Sequence, residues 1–196
     1  MNVDIFTTDK KYNIIYADPP WKYGGGKNKN FQGLAVDQYP TMKTKDLCNV
    51  PVHRIADDAV LFMWTTYPQL EDCFKVAKAW GFKYRTAAFT WVKLNKSNKP
   101  FFGLGFWTRS NAETCLIFTK GNYPRRINNK ISSVILSQRE KHSKKPNVAR
   151  ERIVELMGDI PRIELFARES SPGWDCWGNE APENEQEATD GKAEAD

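Results

Sequence analysis

The chain has 196 residues, of which 40% are apolar and 27% charged, as expected for one globular domain of ordinary size. The net charge is +5, but residues 181–196 hold six acids and one lysine, so residues 1–180 carry about +10, which suits a polyanionic partner. No apolar run approaches the roughly 20 residues that span a bilayer, and the N-terminus lacks a signal-peptide pattern, so we expect a soluble, cytoplasmic protein without a membrane partner.

Apolar runs alternate with amphipathic segments along the chain. Helices are predicted over 68–81 and 144–158, because apolar residues recur there at helical spacing and each segment ends in glycine. A short helix broken at Pro51 is also expected. The predicted strands are 12–17, 59–66, 84–94, 112–121, 132–137 and 162–167. This alternation predicts an α/β fold with a doubly wound, mostly parallel sheet.

One domain is expected over residues 1–180. The acidic stretch 181–196 lacks large apolar residues and is predicted to be a disordered tail. Two long connections, 22–42 and 95–111, follow predicted strands. In such sheets the ligand crevice forms beyond the carboxyl ends of the strands, so we expect these connections to border it.

The four cysteines, Cys48, Cys73, Cys115 and Cys176, are far apart and form no C-x-x-C pair. Only two histidines occur, and neither lies near a cysteine. The spacing therefore favours reduced, mostly buried thiols, and no metal site is expected.

The first predicted strand ends in Asp18-Pro19-Pro20-Trp21. Two prolines stiffen the backbone and lack N–H groups, so the segment is rich in free hydrogen-bond acceptors, and Trp21 offers a flat stacking surface. Such a site suits a planar ligand with an amine at its edge, such as adenine. The alternative is a turn that ends the strand and places Trp21 in the core.

This tetrapeptide is followed in order by "QYPTM", "LFMW", "HSKKP", "RIELFARE" and "PGWDCWGNE". The set resembles the family of S-adenosylmethionine-dependent adenine-N6 methyltransferases that includes the catalytic subunit of the eukaryotic messenger-RNA adenosine methyltransferase. The resemblance covers residues 4 to 180. It implies a Rossmann-like methyltransferase fold in which the catalytic motif precedes the cofactor strand, and S-adenosylmethionine as cofactor.

The resemblance also implies roles for individual residues. Asp18, Pro19, Pro20 and Trp21 match the catalytic tetrapeptide that receives the target adenine. Residues implied at the cofactor are Asp4, Ile5, Asp18, Lys145, Glu164, Arg168, Asn179 and Glu180. Residues expected at the nucleic-acid substrate are Tyr23, Tyr39, Trp107, Arg109, Asn111 and Glu113. Basic stretches at 120–130 and 137–145 are expected to follow the phosphate backbone.

Several of these positions have an alternative interpretation. Glu164 lies in a strand, on the same face as Phe166, and binds either ribose hydroxyls or Arg162 or Arg168. Lys145, just before the helix, holds the cofactor carboxylate or is a solvated surface lysine. Asp4, taken alone, is a surface residue. Phe106 and Trp107 either contact the substrate or anchor their loop in the core.

The predicted function is methyl transfer to the N6 amine of adenine in DNA, which is favoured over RNA because compact single-domain members of the family are of the prokaryotic and phage type. Asp18 and the Pro19 carbonyl would accept the two amine hydrogens. The alternatives are an RNA adenine-N6 methyltransferase and a catalytically inactive nucleic-acid-binding subunit. No separate target-recognition domain is evident, so specificity comes either from the loops or from a second subunit (a second copy of the chain or a partner), or it is low.

Overall fold

A computed structural model of the chain describes residues 1–22, 40–103, 105, 107–139 and 144–178. The predicted site residues Tyr23, Tyr39, Asn179 and Glu180 lie outside the described residues, as do Phe106 and the acidic tail. Within this part of the chain, no helix has both the length and the apolar character needed to cross a membrane.

Seven strands form one sheet in the order β5-β3-β4-β2-β1-β6-β7. The strands are β1 (Ile14–Ala17), β2 (Ala59–Thr65), β3 (Lys83–Leu94), β4 (Ala112–Lys120), β5 (Val134–Gln138), β6 (Arg162–Leu165) and β7 (Asp175–Trp177). Among these strands, β4 alone runs against its neighbours, β2 and β3, and the other pairings are parallel. The predicted α/β fold with a mostly parallel sheet, consistent with a Rossmann-like methyltransferase, is confirmed.

Helices cover both faces of this sheet. They are α1 (Thr44–Cys48), α2 (Val52–Ile55), α3 (Leu70–Ala79) and α4 (Val148–Met157), and a single 3-10 turn, Tyr67–Gln69, leads into α3. The first three pack on the face formed by Ile15 and Leu61. Helix α4 packs on the opposite face, against Tyr16 and Phe62. Alternation of side chains along each buried strand supplies both cores.

The reversal of β4 decides which residues meet at the carboxyl end of the sheet, where β1, β2, β3 and β6 end. Because β4 runs backwards, its first residues lie beside the last residues of its neighbours, and Thr114 pairs with Thr65. Glu113 is therefore brought to the same end of the sheet as Asp18, which directly follows β1.

Glu164 and Phe166 do not share a face, in contrast to the prediction. Glu164 pairs in register with Tyr16 and faces α4. Strand β6 ends at Leu165, and Phe166 has a φ of 61°, which breaks the alternation. Its ring turns to the other core, 6.5 Å from Trp80 and 5.4 Å from Trp177, measured between ring centroids.

Candidate active site

The Asp-Pro-Pro-Trp segment forms a tight turn at the carboxyl end of β1. The Pro19 carbonyl accepts a hydrogen bond from the Trp21 backbone N–H at 2.8 Å, and the Pro20 carbonyl accepts one from Met42 N–H at 2.8 Å. The prediction that these carbonyls are free is therefore wrong, because each already has one donor. Each carbonyl oxygen has two lone pairs, so each can still accept a second donor.

Trp21 anchors this turn in the hydrophobic core. Its side chain is only 5% exposed and packs in the core beneath α1 to α3, and its indole N–H donates to the Trp64 carbonyl at 3.1 Å. The predicted stacking surface is therefore wrong for Trp21, and the alternative of a core position is right. The turn holds Asp18 rigidly because the residues after it are fixed by packing and by hydrogen bonds.

Asp18 belongs to a row of four charged side chains. Lys145 Nζ donates to Asp18 Oδ2 at 2.8 Å and lies 3.2 Å from Glu113 Oε2. Glu113 Oε1 in turn accepts a hydrogen bond from Lys93. Charges alternate along this row, so each inner group has an opposite charge on both sides, the arrangement that buried ions need.

The two inner members of the row are kept ionised. Lys145 is largely buried, so it is not the solvated surface lysine of the alternative interpretation. Burial alone would lower its pKa, but Asp18 and Glu113 together raise the pKa well above its ordinary value. Burial likewise works against ionised Glu113, yet Lys145 and Lys93 hold its pKa below the ordinary value.

Aromatic rings form the floor beneath this row. The Lys145 ammonium lies 5.8 Å from the centre of the Trp64 ring, and the Lys93 ammonium lies 5.2 Å from that of Trp91. The two indoles pack edge to face, and Trp64 Nε1 donates to the Tyr16 hydroxyl at 2.7 Å. Cations over indole faces are favourably placed, so these rings stabilise the two ammonium groups.

Glu164 has a partner that the sequence did not reveal. Arg150 of α4 binds it through two hydrogen bonds, Nε to Oε2 at 2.6 Å and Nη2 to Oε1 at 2.8 Å. The alternative partner Arg162 instead bonds to Asp159. Burial raises the pKa of the Glu164 carboxyl, and Arg150 opposes this effect without cancelling it. One signal for Arg150 was available, since it lies three residues before Ile153 on the core face of α4.

Three further residues expected at the cofactor, Asp4, Ile5 and Arg168, lie on the β6 and β7 side of Asp18. The N-terminal segment runs parallel to β7, with Val3 N–H donating to the Cys176 carbonyl at 2.9 Å, so Asp4 and Ile5 reach the carboxyl end of the sheet. Asp4 is exposed and caps a turn by accepting from Phe6 N–H and Thr7 Oγ1, both at 2.9 Å. Ile5 is fully buried. Arg168 follows β6 at this same end.

Three of the residues expected at the substrate, Trp107, Arg109 and Asn111, lie on the other side of Asp18, before β4. Trp107 is fully exposed, so the alternative in which it anchors its loop in the core is wrong for this residue. Arg109 is also exposed, and the Asn111 carbonyl accepts from Lys93 N–H at 2.8 Å. The structure thus separates the two predicted groups, with Asp18 and Lys145 between them.

The two basic stretches lie at opposite ends of the sheet. Residues 121–130 follow Lys120, the last residue of β4, which pairs with Ala59 at the start of β2. Residues 137–139 instead lie where β5 ends, at the carboxyl end of the sheet, on the edge strand that is four positions from β1. The four cysteines are unpaired, and over the described ranges no group of histidine, cysteine and acidic side chains is arranged to hold a metal ion.

Comparison with known proteins adds independent evidence. The MT-A70 family model matches residues 12–180. The chain is 39% identical over 195 residues to the Type II methyltransferase M.MunI of Mycoplasma sp, which covers 91% of this chain and 81% of that protein. It is 29% identical to the human N(6)-adenosine-methyltransferase catalytic subunit METTL3, over 87% of this chain and 28% of that protein.

A third relative is the N6-methyladenosine RNA methyltransferase MTA1 of Cryphonectria parasitica, 26% identical over 86% of this chain and 51% of that protein. The chain thus spans most of M.MunI but only about a quarter to a half of these eukaryotic relatives. A family model that matches residues 12–180, together with these relatives, confirms the resemblance drawn from the motifs. The chain belongs to the MT-A70 family of methyltransferases.

Proposed function

We propose that this protein transfers a methyl group from S-adenosylmethionine to the N6 amine of adenine in DNA. The observation that carries the proposal is the position of Asp18. Its carboxylate is fixed between the Pro19 turn and the Lys145 ammonium, at the carboxyl end of a buried parallel strand. This is the place in an α/β sheet where ligands bind.

Asp18 and Pro19 supply the acceptors that the reaction needs. The N6 lone pair of adenine is delocalised into the ring, so the amine is a poor nucleophile until it pyramidalises. If the carboxylate and the Pro19 carbonyl each accept one N6–H, they favour that geometry and stabilise the positive charge that nitrogen develops in the transition state. When bound, S-adenosylmethionine would supply a methyl group on a cationic sulfur, so that the N–C bond forms as the C–S bond breaks, sulfur keeps the electron pair, and N6 loses one proton to the Asp18 carboxylate or to water.

Lys145 and the residues on the β6 and β7 side fit this cofactor in their chemistry. Lys145 directly precedes the segment that leads into α4, and its ammonium would attract the carboxylate of the methionine part. Glu164 is buried and oriented by Arg150, and its carboxylate would accept hydrogen bonds from a ribose diol. Ile5, which is fully buried, would support Asp4 from the core. Asp4 and Arg168 would contact the nucleoside. We also assign this role to Asn179 and Glu180 on the family resemblance.

A nucleic-acid substrate is supported by the charge of about +10 over residues 1–180 and by the exposed Trp107 and Arg109 in the connection that leads into β4 at the carboxyl end of the sheet. A stacked, paired adenine does not reach acceptors at the end of a buried strand, so the base must be flipped or single-stranded. DNA is favoured by the similarity to a Type II methyltransferase. RNA is the second candidate, since the eukaryotic relatives are named as adenosine methyltransferases.

The direct test uses the purified protein and S-adenosylmethionine with a labelled methyl group. Single- and double-stranded DNA and RNA are each incubated, digested to nucleosides and separated. We expect the label in N6-methyladenine from DNA. Asp18→Asn should abolish transfer while the protein remains folded, as checked by circular dichroism, whereas Asp46→Asn, an exposed acid of α1, should behave as the parent protein.

Three outcomes would count against the proposal. Label on cytosine would exclude the assigned base, and label only in RNA would favour the second candidate. Nucleic-acid binding without transfer to any substrate would support an inactive binding subunit that acts with a partner.

A further inference from the structure

We propose that Lys93 is a positioning residue of the active site, which acts through Glu113 to hold Lys145 against Asp18. This inference rests on the proposed function, since it assigns a role in the same site. Nothing in the sequence motifs points to Lys93, which lies in an ordinary strand segment, "WVKL".

The sheet register explains how Lys93 reaches the site. Trp91 pairs with Glu113 across β3 and β4, and Lys93 N–H bonds to the Asn111 carbonyl two residues before Glu113. Lys93 and Glu113 are therefore diagonal neighbours on one face of the sheet, within reach of each other. Both side chains are largely buried, with 16% and 10% of their surface exposed.

A buried lysine at this position is costly unless it has a function or a fixed partner. The exposed lysines of β3 and of the connection that follows it have no such desolvation cost, because their ammonium groups remain in water. Lys93 instead sits over the Trp91 ring and bonds to Glu113. Glu113 then presents its other oxygen to Lys145, so the lysine of β3 is connected to Asp18 through two intermediates.

Removing the Lys93 charge changes the balance of the row. With four members, the row has two positive and two negative charges and is neutral. Without Lys93, the Lys145 ammonium is the one cation paired with both carboxylates of the row. Glu113 has then lost one cation, so it competes more strongly with Asp18 for Lys145. Asp18 is then less well oriented toward the substrate amine, so the chemical step should suffer more than nucleic-acid binding.

The test compares Lys93→Met with Lys93→Arg and with a matched control, Lys83→Met. Lys83 is the first residue of the same strand, is exposed and lies at the opposite end of the sheet. For Lys93→Met we expect kcat to fall about tenfold, while KM for the oligonucleotide changes less than about twofold. Lys93→Arg should retain most of kcat because it keeps the charge, and Lys83→Met should match the parent protein.

A rise in KM with unchanged kcat would show that Lys93 is a simple phosphate contact and would overturn the inference. Equal loss in the Arg and Met variants would also overturn it, because the charge would then not matter. So would a parent-like kcat in Lys93→Met.

A second measurement does not depend on turnover. Carbon-13 labelling of the glutamate side chains allows the Glu113 carboxyl to be titrated by NMR, with Glu113→Gln used to assign its signal. The groups that face Glu113 are Lys93 from β3, Lys145 from the segment before α4 and, beyond it, Asp18. We expect the Glu113 pKa to rise in Lys93→Met and to stay low in Lys93→Arg and Lys83→Met.

An unchanged titration would contradict the proposed coupling even if activity fell. If the parent protein methylated no adenine but this titration behaved as expected, the proposed function would fail while the coupling stood.

Discussion

At the scale of single residues, two buried cations, Lys145 and Arg150, organise the site in different ways. Lys145 binds Asp18, which follows β1, and Glu113 of β4. Arg150 of α4 binds Glu164 of β6. A buried pair contributes little net stability, since desolvation offsets the attraction, but breaking one partner leaves an uncompensated charge. The Arg150–Glu164 pair therefore allows a stability test that is independent of catalysis.

We expect Arg150→Met to lower the free energy of unfolding by about 3–5 kcal/mol at neutral pH. Loss of Arg150 raises the pKa of the buried Glu164 carboxyl further. At a pH between 4.5, the ordinary glutamate pKa, and this raised pKa, Glu164 is protonated in the folded protein but ionised in the unfolded chain. The cost should accordingly shrink as the pH is lowered toward that value. Urea unfolding at several pH values measures this.

The double variant Arg150→Met/Glu164→Gln provides the control. Removing the carboxylate charge should restore part of the stability and abolish the extra pH dependence. A cost in Arg150→Met that is the same at every pH would mean that packing of the arginine side chain, and not its charge, is what matters.

At the scale of elements, α4 carries the residues that shape one side of the site. Its core face consists of Ala149, Ile153 and Met157, which pack on the sheet beside Tyr16 and Phe62. The helix ends at Gly158, whose φ of 89° suits glycine and whose N–H bonds to the Val154 carbonyl at 2.8 Å. Docking of α4 thereby fixes Arg150 and the segment that holds Lys145.

Ile153→Ala should lower the free energy of unfolding by about 2–5 kcal/mol, because it leaves a cavity between α4 and the sheet. The matched control is Glu155→Ala on the exposed face of the same helix, expected within about 0.5 kcal/mol of the parent protein. Thermal and urea unfolding measure both. Equal effects of the two variants would contradict the packing assigned to α4.

The elements also show why the sequence predicted the fold better than the site. Six strands follow from their apolar runs, but β7 is only three residues long and forms by pairing with β6, which no local pattern reveals. Contacts such as Lys145–Asp18 join residues 127 positions apart, and the Lys93–Glu113 pair depends on the register of β3 against β4. Residue types alone cannot predict such pairs. The family motifs pointed to Asp18, Lys145 and Glu113, but not to Lys93 or Arg150.

At the scale of the whole molecule, positive charge is spread over both ends of the sheet, while the proposed site lies at one of them. Lys96 and Arg109 are exposed at the carboxyl end, in the connection between β3 and β4. Arg125 and Arg126 are exposed at the amino end, after β4. Nucleic acid that places an adenine at Asp18 should release counterions mainly at the carboxyl end.

We therefore expect Lys96→Gln/Arg109→Gln to weaken oligonucleotide binding. On a single strand, the slope of log affinity against log salt should become shallower by about 0.7 for each phosphate that the variant no longer neutralises. Arg125→Gln/Arg126→Gln removes the same charge from the amino end and should change the slope much less. Fluorescence anisotropy, measured at salt concentrations from about 50 to 200 mM, where phosphate contacts weaken strongly, tests both variants. Equal effects of the two double variants would show that binding follows net charge and not the location of the site.

The central claim is that Asp18 and the Pro19 carbonyl accept hydrogen bonds from the amine that is methylated. A crystal structure with a bisubstrate compound tests this claim most directly. In this compound the N6 atom of adenosine is linked covalently to the methionine part of the methyl donor. The account predicts the linked nitrogen within hydrogen-bonding distance of the Asp18 carboxylate or the Pro19 carbonyl, with the amino-acid carboxylate beside Lys145. A compound bound at high occupancy with its N6 atom remote from the end of β1 would contradict it.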